Sequence, residues 1–439
     1  MAPTTTDDTT TTSTSTTTST TAATDSTTTT MGVDPETTST SGTTGPGTTL
    51  GTTSTSDGTS TTTGEPIPCM PGDGMGMGPV DKSYIWIPSD TLGQISKIST
   101  LTLIEEARYR TGPQGGTESS SRTAVSADGR FVVVNARGTG RSTMFAANKA
   151  DCIDNNGNGV IDTSANLNDI LAWGQDECML WSITHPVGAG IQADPRGVTW
   201  TPGTWSFDEC KYVDPKVWLG YRTGPSNQAH IVRIDGVSGI VEETVVVDNW
   251  VGSSYAPYGA ALDPDFKPWF TGLRGELIRV NTENNPATLT RITAPNNIQA
   301  YGMTVDKDGN PWIGGCTGPV STYDVQTAQW ITIPGTNACH RGIGAGDDYV
   351  WVASNGPCGL VQIDRQTRTL VAKHTPPQCS TAIGISIDIE KYLWLVDQSG
   401  WAWKIDQDAV AWDQKVMVAG GHYVYSDMTG GQFLSVVPQ

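Results

Sequence analysis

The first 67 residues contain no lysine, no arginine and no aromatic residue, and threonine or serine fills well over half of the positions. Such a segment cannot bury enough apolar surface to offset the entropy lost when a chain becomes ordered. We therefore expect a disordered tether over residues 1–67 and a folded domain over residues 68–439. As a random coil, a tether of this length spans about 45 Å on average.

Long apolar runs are also missing. No run reaches about eighteen residues, so the sequence predicts no transmembrane segment. The residues after Met1 lack the basic segment and apolar stretch of a signal peptide. Lysine and arginine total 26 against 45 aspartates and glutamates, which gives a net charge of -19. This charge argues against nucleic acid as a partner.

No two of the eight cysteines form a CxxC pair, and all of them follow the tether. This spacing disfavours zinc fingers and thioredoxin-type sites. An even number of dispersed cysteines favours up to four disulfides in an oxidising compartment, and the alternative is buried free thiols. The cysteines are Cys69, Cys152, Cys178, Cys210, Cys316, Cys339, Cys358 and Cys379.

The predicted folded domain, residues 68–439, contains a sequence repeat. A short strand phrase with an aromatic or β-branched centre occurs seven times, at intervals of 46, 86, 51, 43, 39 and 43 residues. All but the long interval fit the length of a four-stranded propeller blade, and the long interval indicates an insertion. The phrases are YIWIPS, RFVVVNA, KVWLGY, KPWFTG, NPWIGG, YVWVAS and YLWLVD, centred on Trp86, Val132, Trp218, Trp269, Trp312, Trp351 and Trp394.

The first phrase lacks the preceding strand that the other phrases have. The segment HYVYSDMTG, at residues 422–430, has the form of such a strand. We therefore predict an all-β fold, a seven-bladed β-propeller whose C-terminal strand completes the N-terminal blade and removes free sheet edges. The alternative is a pair of stacked sandwiches built from short strands.

The unit YGMTVDKDGNPWIGG, at residues 301–315, is followed by a strand that ends in aspartate. This pattern resembles the repeat of the streptogramin lyase (virginiamycin B lyase) family and of related YVTN and NHL propellers, over about residues 80–439. The resemblance implies a metal-dependent lyase or lactonase-type activity, with Mg²⁺, histidine and glutamate near the channel. Where the family often has WFTE this chain has WFTG, ending in Gly272. His340, beside an inner strand, is the only histidine placed as a catalytic candidate, and its alternative role is a loop cap.

A calcium-loop pattern lies in the insertion, at about residues 148–178. In DNNGNGVID, oxygen-bearing residues alternate as in an EF-hand loop, and such ligands suit a hard cation. Ala165 replaces the usual glutamate at the twelfth position, so another carboxylate has to complete the shell. The alternative is an Asn-Gly turn cluster. The predicted ligands are Asp154, Asn156, Asn158, Val160 (through its carbonyl), Asp162 and Asp169.

The order of strands in a blade places each loop on one face of the ring, and this suggests which cysteines meet. Cys152 and Cys178 bracket the insertion. Two further pairs would each join adjacent blades, and a last pair would lie on the opposite face. The predicted pairs are Cys152–Cys178, Cys316–Cys339, Cys358–Cys379 and Cys69–Cys210.

Aligning the inner strands by their small second residue places arginines and tyrosines around one mouth of the channel. The aligned residues are Arg122, Arg196, Tyr258, Tyr301, Arg341, Thr381 and Ser426, with Arg137, Arg222 and Arg274 on neighbouring loops. Arginine offers a planar fork of donors for carboxylate or phosphate, and tyrosine adds a hydroxyl group. One interpretation is an anion or acidic-glycan site. The other is that the arginines neutralise aspartates between blades.

Together these features predict a secreted, periplasmic or cell-surface protein held by its tether. The tail resembles those that follow the lipidated cysteine of bacterial lipoproteins, although the chain has no such cysteine. The first hypothesis is a binding or scaffold module for an anionic small molecule, an acidic glycan or an envelope protein. The second is an enzyme of the streptogramin lyase or lactonase type that uses a divalent metal near the channel.

Overall fold

The computed structural model describes residues 83–190, 192–209, 211–223, 228–250, 255 and 257–431. The chain divides into two units, Met1–Gly64 and Glu65–Gln439, and every described residue belongs to the second. The predicted tether, Cys69 and Cys210 therefore lie outside the described residues. Within the described part of the chain, no helix is long and apolar enough to cross a membrane.

The described strands form seven antiparallel blades of a β-propeller, as predicted. Blade 1 contains β1 (Tyr84–Ser89), β2 (Gln94–Ser99) and β3 (Glu105–Arg110). Blade 2 contains β4 (Ser120–Val125), β5 (Phe131–Ala136), β6 (Arg141–Ala146) and β7 (Met179–Thr184). Blade 3 contains β8 (Val198–Thr201), a small hairpin of β9 (Thr204–Ser206) and β10 (Lys211–Val213), then β11 (Lys216–Thr223), β12 (Gln228–Asp235) and β13 (Val241–Val247).

The remaining blades repeat the same order. Blade 4 contains β14 (Gly259–Leu262), β15 (Pro268–Thr271), β16 (Glu276–Asn281) and β17 (Thr288–Thr293). Blade 5 contains β18 (Gly302–Val305), β19 (Pro311–Gly314), β21 (Ser321–Asp324) and β22 (Gln329–Thr332), with β20 (Cys316–Gly318) paired to blade 6. Blade 6 contains β23 (Ala338–Ala345), β24 (Tyr349–Gly356), β25 (Cys358–Asp364) and β26 (Thr369–His374). Blade 7 contains β27 (Ala382–Ile387), β28 (Leu393–Asp397), β29 (Trp401–Ile405) and β30 (Lys415–Met417).

The C-terminal segment completes blade 1. Its backbone pairs with β1 through a bridge between Ser89 and His422. The Trp86 amide also donates to the Met428 carbonyl at 2.8 Å. On its other side, the Thr123 hydroxyl of blade 2 donates to the Asp427 carbonyl at 2.7 Å. The predicted closure of the ring is therefore confirmed.

An aspartate and a tryptophan six positions apart explain the repeated phrase. Asp306 directly follows the inner strand β18 and accepts a hydrogen bond of 2.8 Å from the indole nitrogen of buried Trp312. The same bond joins Asp263 to Trp269 and Asp388 to Trp394. The other Asp306 oxygen accepts the amides of Asp308 and Asn310, which forms the turn between the strands. These tryptophans belong to the core between blades, so they offer no surface for stacking sugars.

Glycines on the inner strands allow neighbouring blades to approach at the axis. A Cβ atom on Gly302 would lie 2.0 Å from the Arg341 carbonyl oxygen, which belongs to the next blade. A Cβ atom on Gly342 would lie 2.6 Å from the Ile383 carbonyl oxygen. Both neighbours are backbone atoms, so they cannot turn aside as a flexible side chain can.

Three disulfides lie within the described residues. Cys152–Cys178 closes the insertion of blade 2. Cys316–Cys339 joins blade 5 to blade 6, and Cys358–Cys379 joins blade 6 to blade 7. The last two therefore connect adjacent blades, as expected from the order of strands. Disulfides of this number are typical of proteins that fold in an oxidising compartment.

Gly302→Ala should lower the melting temperature, because the new methyl group would collide with the Arg341 carbonyl. The expected loss is about 1–3 kcal/mol of unfolding free energy, as for other overpacked sites. The control is Gly318→Ala, whose Cβ atom would lie 3.7 Å from the nearest atom. Chemical denaturation of both variants measures the difference. Equal stability of the two variants would contradict the close approach of the inner strands.

Candidate ligand site at the channel mouth

The structure brings the five arginines and tyrosines proposed as ligand-binding residues into one connected cluster. The guanidinium carbons of Arg122 and Arg196 lie 5.1 and 4.8 Å from the centroid of the Tyr258 ring. The rings of Tyr258 and Tyr301 are 4.9 Å apart, and the Arg341 guanidinium carbon lies 4.0 Å from the Tyr301 ring. One residue comes from each of blades 2 to 6. We call this group, with the tyrosines described next, the Arg/Tyr cluster.

Two further tyrosines of the cluster, which were not among the predicted site residues, come from the C-terminal segment. The Tyr425 ring lies 3.0 Å from the Arg122 guanidinium carbon. The Tyr423 hydroxyl is hydrogen-bonded to the hydroxyls of Tyr258 and Tyr301. Both side chains point to the same side because they alternate around Val424, which is fully buried. This alternation in HYVYSD was the available sequence signal.

The alignment of Ser426 and Thr381 with the cluster was wrong. The Ser426 hydroxyl accepts a hydrogen bond of 2.8 Å from the Thr123 amide, so it joins the closing segment to blade 2. The Thr381 amide donates to Asp397 at 2.7 Å, in a turn before β27. Both residues therefore have structural roles in the backbone around the channel.

Arg122 is the most buried member of the cluster, with 0% of its surface exposed. Its Nη1 atom donates to the Ser121 hydroxyl at 2.8 Å and to the Tyr423 carbonyl at 3.2 Å. Burial lowers its pKa, and the nearby Tyr258 and Tyr423 oppose this shift. Three faces of tyrosine rings thus surround a cation that is removed from water, an arrangement that cation–π attraction stabilises.

The alternative interpretation, in which the arginines at the channel mouth neutralise aspartates, holds for only some of these arginines. Arg137 lies 4.1 Å from the Tyr423 ring and forms an ion pair of 2.7 Å with Asp90. Within the described ranges, neither Arg122 nor Arg341 has a carboxylate among the groups that shift its pKa. The pKa of Arg341 is lowered by burial, which Tyr258 opposes. Acidic partners are therefore found for Arg137 and Arg196, which interact with Asp90 and Asp194, and not for Arg122 or Arg341 in the part of the chain that the structure describes.

The other two arginines that were expected to reinforce the cluster differ from each other. Arg222 is buried and donates to the Tyr255 carbonyl at 3.3 Å. Tyr255 in turn lies 5.2 Å from the Arg196 guanidinium carbon. Arg274 is exposed on its loop. Arg222 therefore extends the arginine and tyrosine contacts, while no contact in the described residues connects Arg274 to them.

His340, the predicted catalytic candidate, is fully buried. Its Nε2 atom is hydrogen-bonded to the Thr336 carbonyl, and burial lowers the pKa of the imidazole. The ring thus stays neutral near pH 7 and holds the chain before β23. This geometry favours the alternative role of a loop cap.

The calcium-loop motif forms a compact turn held by its own oxygens. One Asp154 oxygen accepts the Gly157 amide at 2.6 Å, and the other accepts the Gly159 amide at 2.8 Å. The side-chain amides of Asn156 and Asn158 contact one Asp162 oxygen at 2.8 and 2.9 Å. Asn156, Asn158 and Asp162 are therefore in mutual contact, and Asp154 binds the backbone of the same turn.

The carboxylate that organises the loop is Glu177, which the sequence analysis did not select. Its oxygens accept the Asn155 amide and the Asp162 amide, each at 2.8 Å. Asp169 lies in a separate turn, where its backbone bridges to Asn166. Val160 is exposed at the tip of the loop. The disulfide Cys152–Cys178 places Glu177 beside the loop, 15 residues beyond Asp162.

The geometry defines a β-propeller with a basic, aromatic channel mouth, and solved structures share the fold. A functionally unknown protein from Desulfotomaculum acetoxidans DSM 771 is 13% identical with a TM-score of 0.52, over 78% of this chain and 98% of that chain. A protein from Lactobacillus plantarum is 12% identical, with the same coverage and TM-score. Apo AztD from Citrobacter koseri is 12% identical with a TM-score of 0.48, over 78% of this chain and 97% of that chain. No family model and no curated protein matches the chain.

Asp194 should make stability depend on pH. Burial raises the pKa of this carboxyl group from 3.8 to about 7, against the pull of Arg196 and Arg137. Between about pH 4 and pH 7 the folded chain thus keeps a proton that the unfolded chain releases, so stability falls as pH rises. Asp194→Asn should remove this part of the slope. Urea denaturation across this range measures it, and parallel curves for the two proteins would contradict the raised pKa.

Proposed function

We propose that the protein is an extracytoplasmic binding or scaffold module whose Arg/Tyr cluster receives an anionic ligand. The observation that supports this function is the state of Arg122. It is a fully buried cation, and Nε and Nη2 have no hydrogen-bond partner among the described residues. A buried donor without an acceptor costs free energy, and this cost makes an anion a favourable partner.

The surroundings of Arg122 suit such a ligand. The protein as a whole is acidic, with a net charge of -19, so a group of arginines at one mouth is a local exception. Arginines grouped together attract ions of the opposite sign, and burial of their charge strengthens this attraction. The tyrosine hydroxyls are uncharged. They can therefore hydrogen-bond to an anion without adding negative charge beside it.

Export is the second part of the proposal. Three disulfides within the described residues support an oxidising compartment. The threonine-rich residues 1–67 would then hold the propeller away from an envelope surface. The streptogramin lyase or lactonase alternative has no comparable support, because His185, His340 and His422 are buried. Their hydrogen bonds go to the Ser142 hydroxyl and to backbone carbonyls.

Arg341→Ala should weaken anion binding with little change in the melting temperature, because Arg341 is only partly buried at the mouth. A charged hydrogen bond contributes about 1.5–3 kcal/mol, so the expected loss is about tenfold to a hundredfold in affinity. Calorimetric titration with acetate, phosphate and glucuronate at constant ionic strength measures the loss.

The matched control for Arg341 is Arg368→Ala, since Arg368 forms a surface ion pair of 2.7 Å with Asp324. This variant should bind all three anions as the unmodified protein does. If Arg341→Ala and Arg368→Ala retained the same affinity, the channel mouth would not be the anion site.

We also propose that the loop of Asp154, Asn156, Asn158 and Asp162 binds calcium and stabilises the insertion. Alternating oxygen ligands around a tight glycine turn support this proposal. Glu177 is the nearest additional carboxylate, since it already contacts the loop backbone. A calcium ion here would have a structural role, because the loop belongs to the insertion of blade 2.

EDTA should lower the melting temperature of the protein, and added Ca²⁺ should restore it. Asp154→Ala should remove the effect of EDTA, because it deletes both oxygens at the first ligand position. Differential scanning fluorimetry of the two proteins, with Mg²⁺ as a control ion, makes the comparison. Equal EDTA sensitivity in both proteins would reject calcium at this loop.

A further inference from the structure

Only one of the three guanidinium nitrogens of Arg122 donates hydrogen bonds to the described residues. Nη1 makes the two hydrogen bonds to Ser121 and Tyr423. Nε and Nη2 are buried and have no partner in the described part of the chain. Arginine keeps its charge in proteins, so both atoms remain donors that lack an acceptor. The side chain therefore has a well-defined unused edge.

That edge selects for a particular kind of acceptor. The N–H bonds of Nε and Nη2 are parallel and lie in the guanidinium plane, where they match two oxygens of one oxyanion. A halide ion offers a single acceptor centre and satisfies this pair less completely. The unused edge thus favours a group with two neighbouring oxygens.

The tyrosine rings limit the shape of that group. The Tyr425 ring lies 3.0 Å from the guanidinium carbon of Arg122, and the Tyr258 and Tyr423 rings lie at 5.1 and 5.5 Å. An acceptor must therefore approach along the guanidinium plane, between aromatic rings. A carboxylate is flat and carries one charge, whereas phosphate is tetrahedral and carries up to two. The rings therefore favour the carboxylate.

We infer that Arg122 binds the carboxylate group of the ligand side-on through Nε and Nη2. This inference rests on the proposed function and adds the ligand class, a carboxylic acid slender enough to place its acid group between the tyrosines. The linked hydroxyls of Tyr258, Tyr301 and Tyr423 lie in the same cluster. Their two mutual hydrogen bonds use two of the three hydroxyl hydrogens, which leaves one donor for the ligand. Arg341 is more exposed than Arg122. We therefore expect it to contact the part of the ligand that extends beyond the carboxylate.

Anion selectivity and Arg122→Lys test this inference together. Acetate should raise the melting temperature of the unmodified 439-residue chain more than phosphate or chloride at equal ionic strength. Lysine keeps the positive charge but lacks the parallel donors. Arg122→Lys should therefore weaken binding of ¹³C-labelled acetate at least tenfold in an NMR titration. The control is Arg368→Lys, which should bind acetate normally.

The outcomes separate this inference from the proposed function. Equal protection by acetate, phosphate and chloride, or unchanged acetate affinity in Arg122→Lys, would overturn the carboxylate assignment and leave anion binding intact. No binding of any of the three anions would overturn both. Should Arg122→Lys not fold, crystals of the unmodified protein soaked with 4-bromobenzoate, a flat carboxylate whose aryl bromide does not alkylate side chains, decide. Bromine beside Arg122 supports the inference, and bromine elsewhere rejects it.

Discussion

The close approach of inner strands around the axis is the constraint on which the rest of the structure depends. Where Gly302 faces the Arg341 carbonyl, and Gly342 faces the Ile383 carbonyl, a single added carbon atom would occupy space already filled by the neighbouring backbone. The radius of the channel follows from this contact. Wider spacing would break the packing between blades, where Trp312 and the other repeated tryptophans are buried.

The same constraint creates the Arg/Tyr cluster. The residue before an inner-strand glycine lies at the channel mouth, where side chains from several blades meet. Arg196, Tyr258, Tyr301 and Arg341 all occupy this position. Because the space is narrow, positive charges cannot each keep a hydration shell, and stacking on tyrosine replaces part of the lost water. The chemistry of the mouth is therefore a consequence of how tightly the blades converge.

The periodic parts of the molecule were predictable from the sequence. The repeated phrases predicted the number and limits of the blades. The order of strands, which is the same in every blade, predicted that Cys316 lies near Cys339 and Cys358 near Cys379. The contacts of the closing segment were harder to predict, because its register relative to β1 shifts along its length. Ser89 pairs with His422, whereas Trp86 contacts Met428, which leaves three extra residues between the two contacts. An alignment by small residues therefore selected Ser426 and missed Tyr425.

Glu177 was missed for a different reason. Its partners are backbone amides of a loop that lies 15 or more residues earlier, and no local pattern marks such a contact. The disulfide and the turn that bring it close are features of the insertion alone. A repeat pattern carries no information about a segment that occurs once.

Closure by the C-terminal segment also sets an order of events during synthesis. Blade 1 is synthesised before the other six blades, yet β1 has no inner neighbour until residues 421–428 emerge. Tyr423 and Tyr425 belong to that same late segment. The Arg/Tyr cluster around Arg122 is thus completed only after the strands of all seven blades have been made, and a chain interrupted before residue 421 would expose an unpaired strand edge instead of a complete cluster.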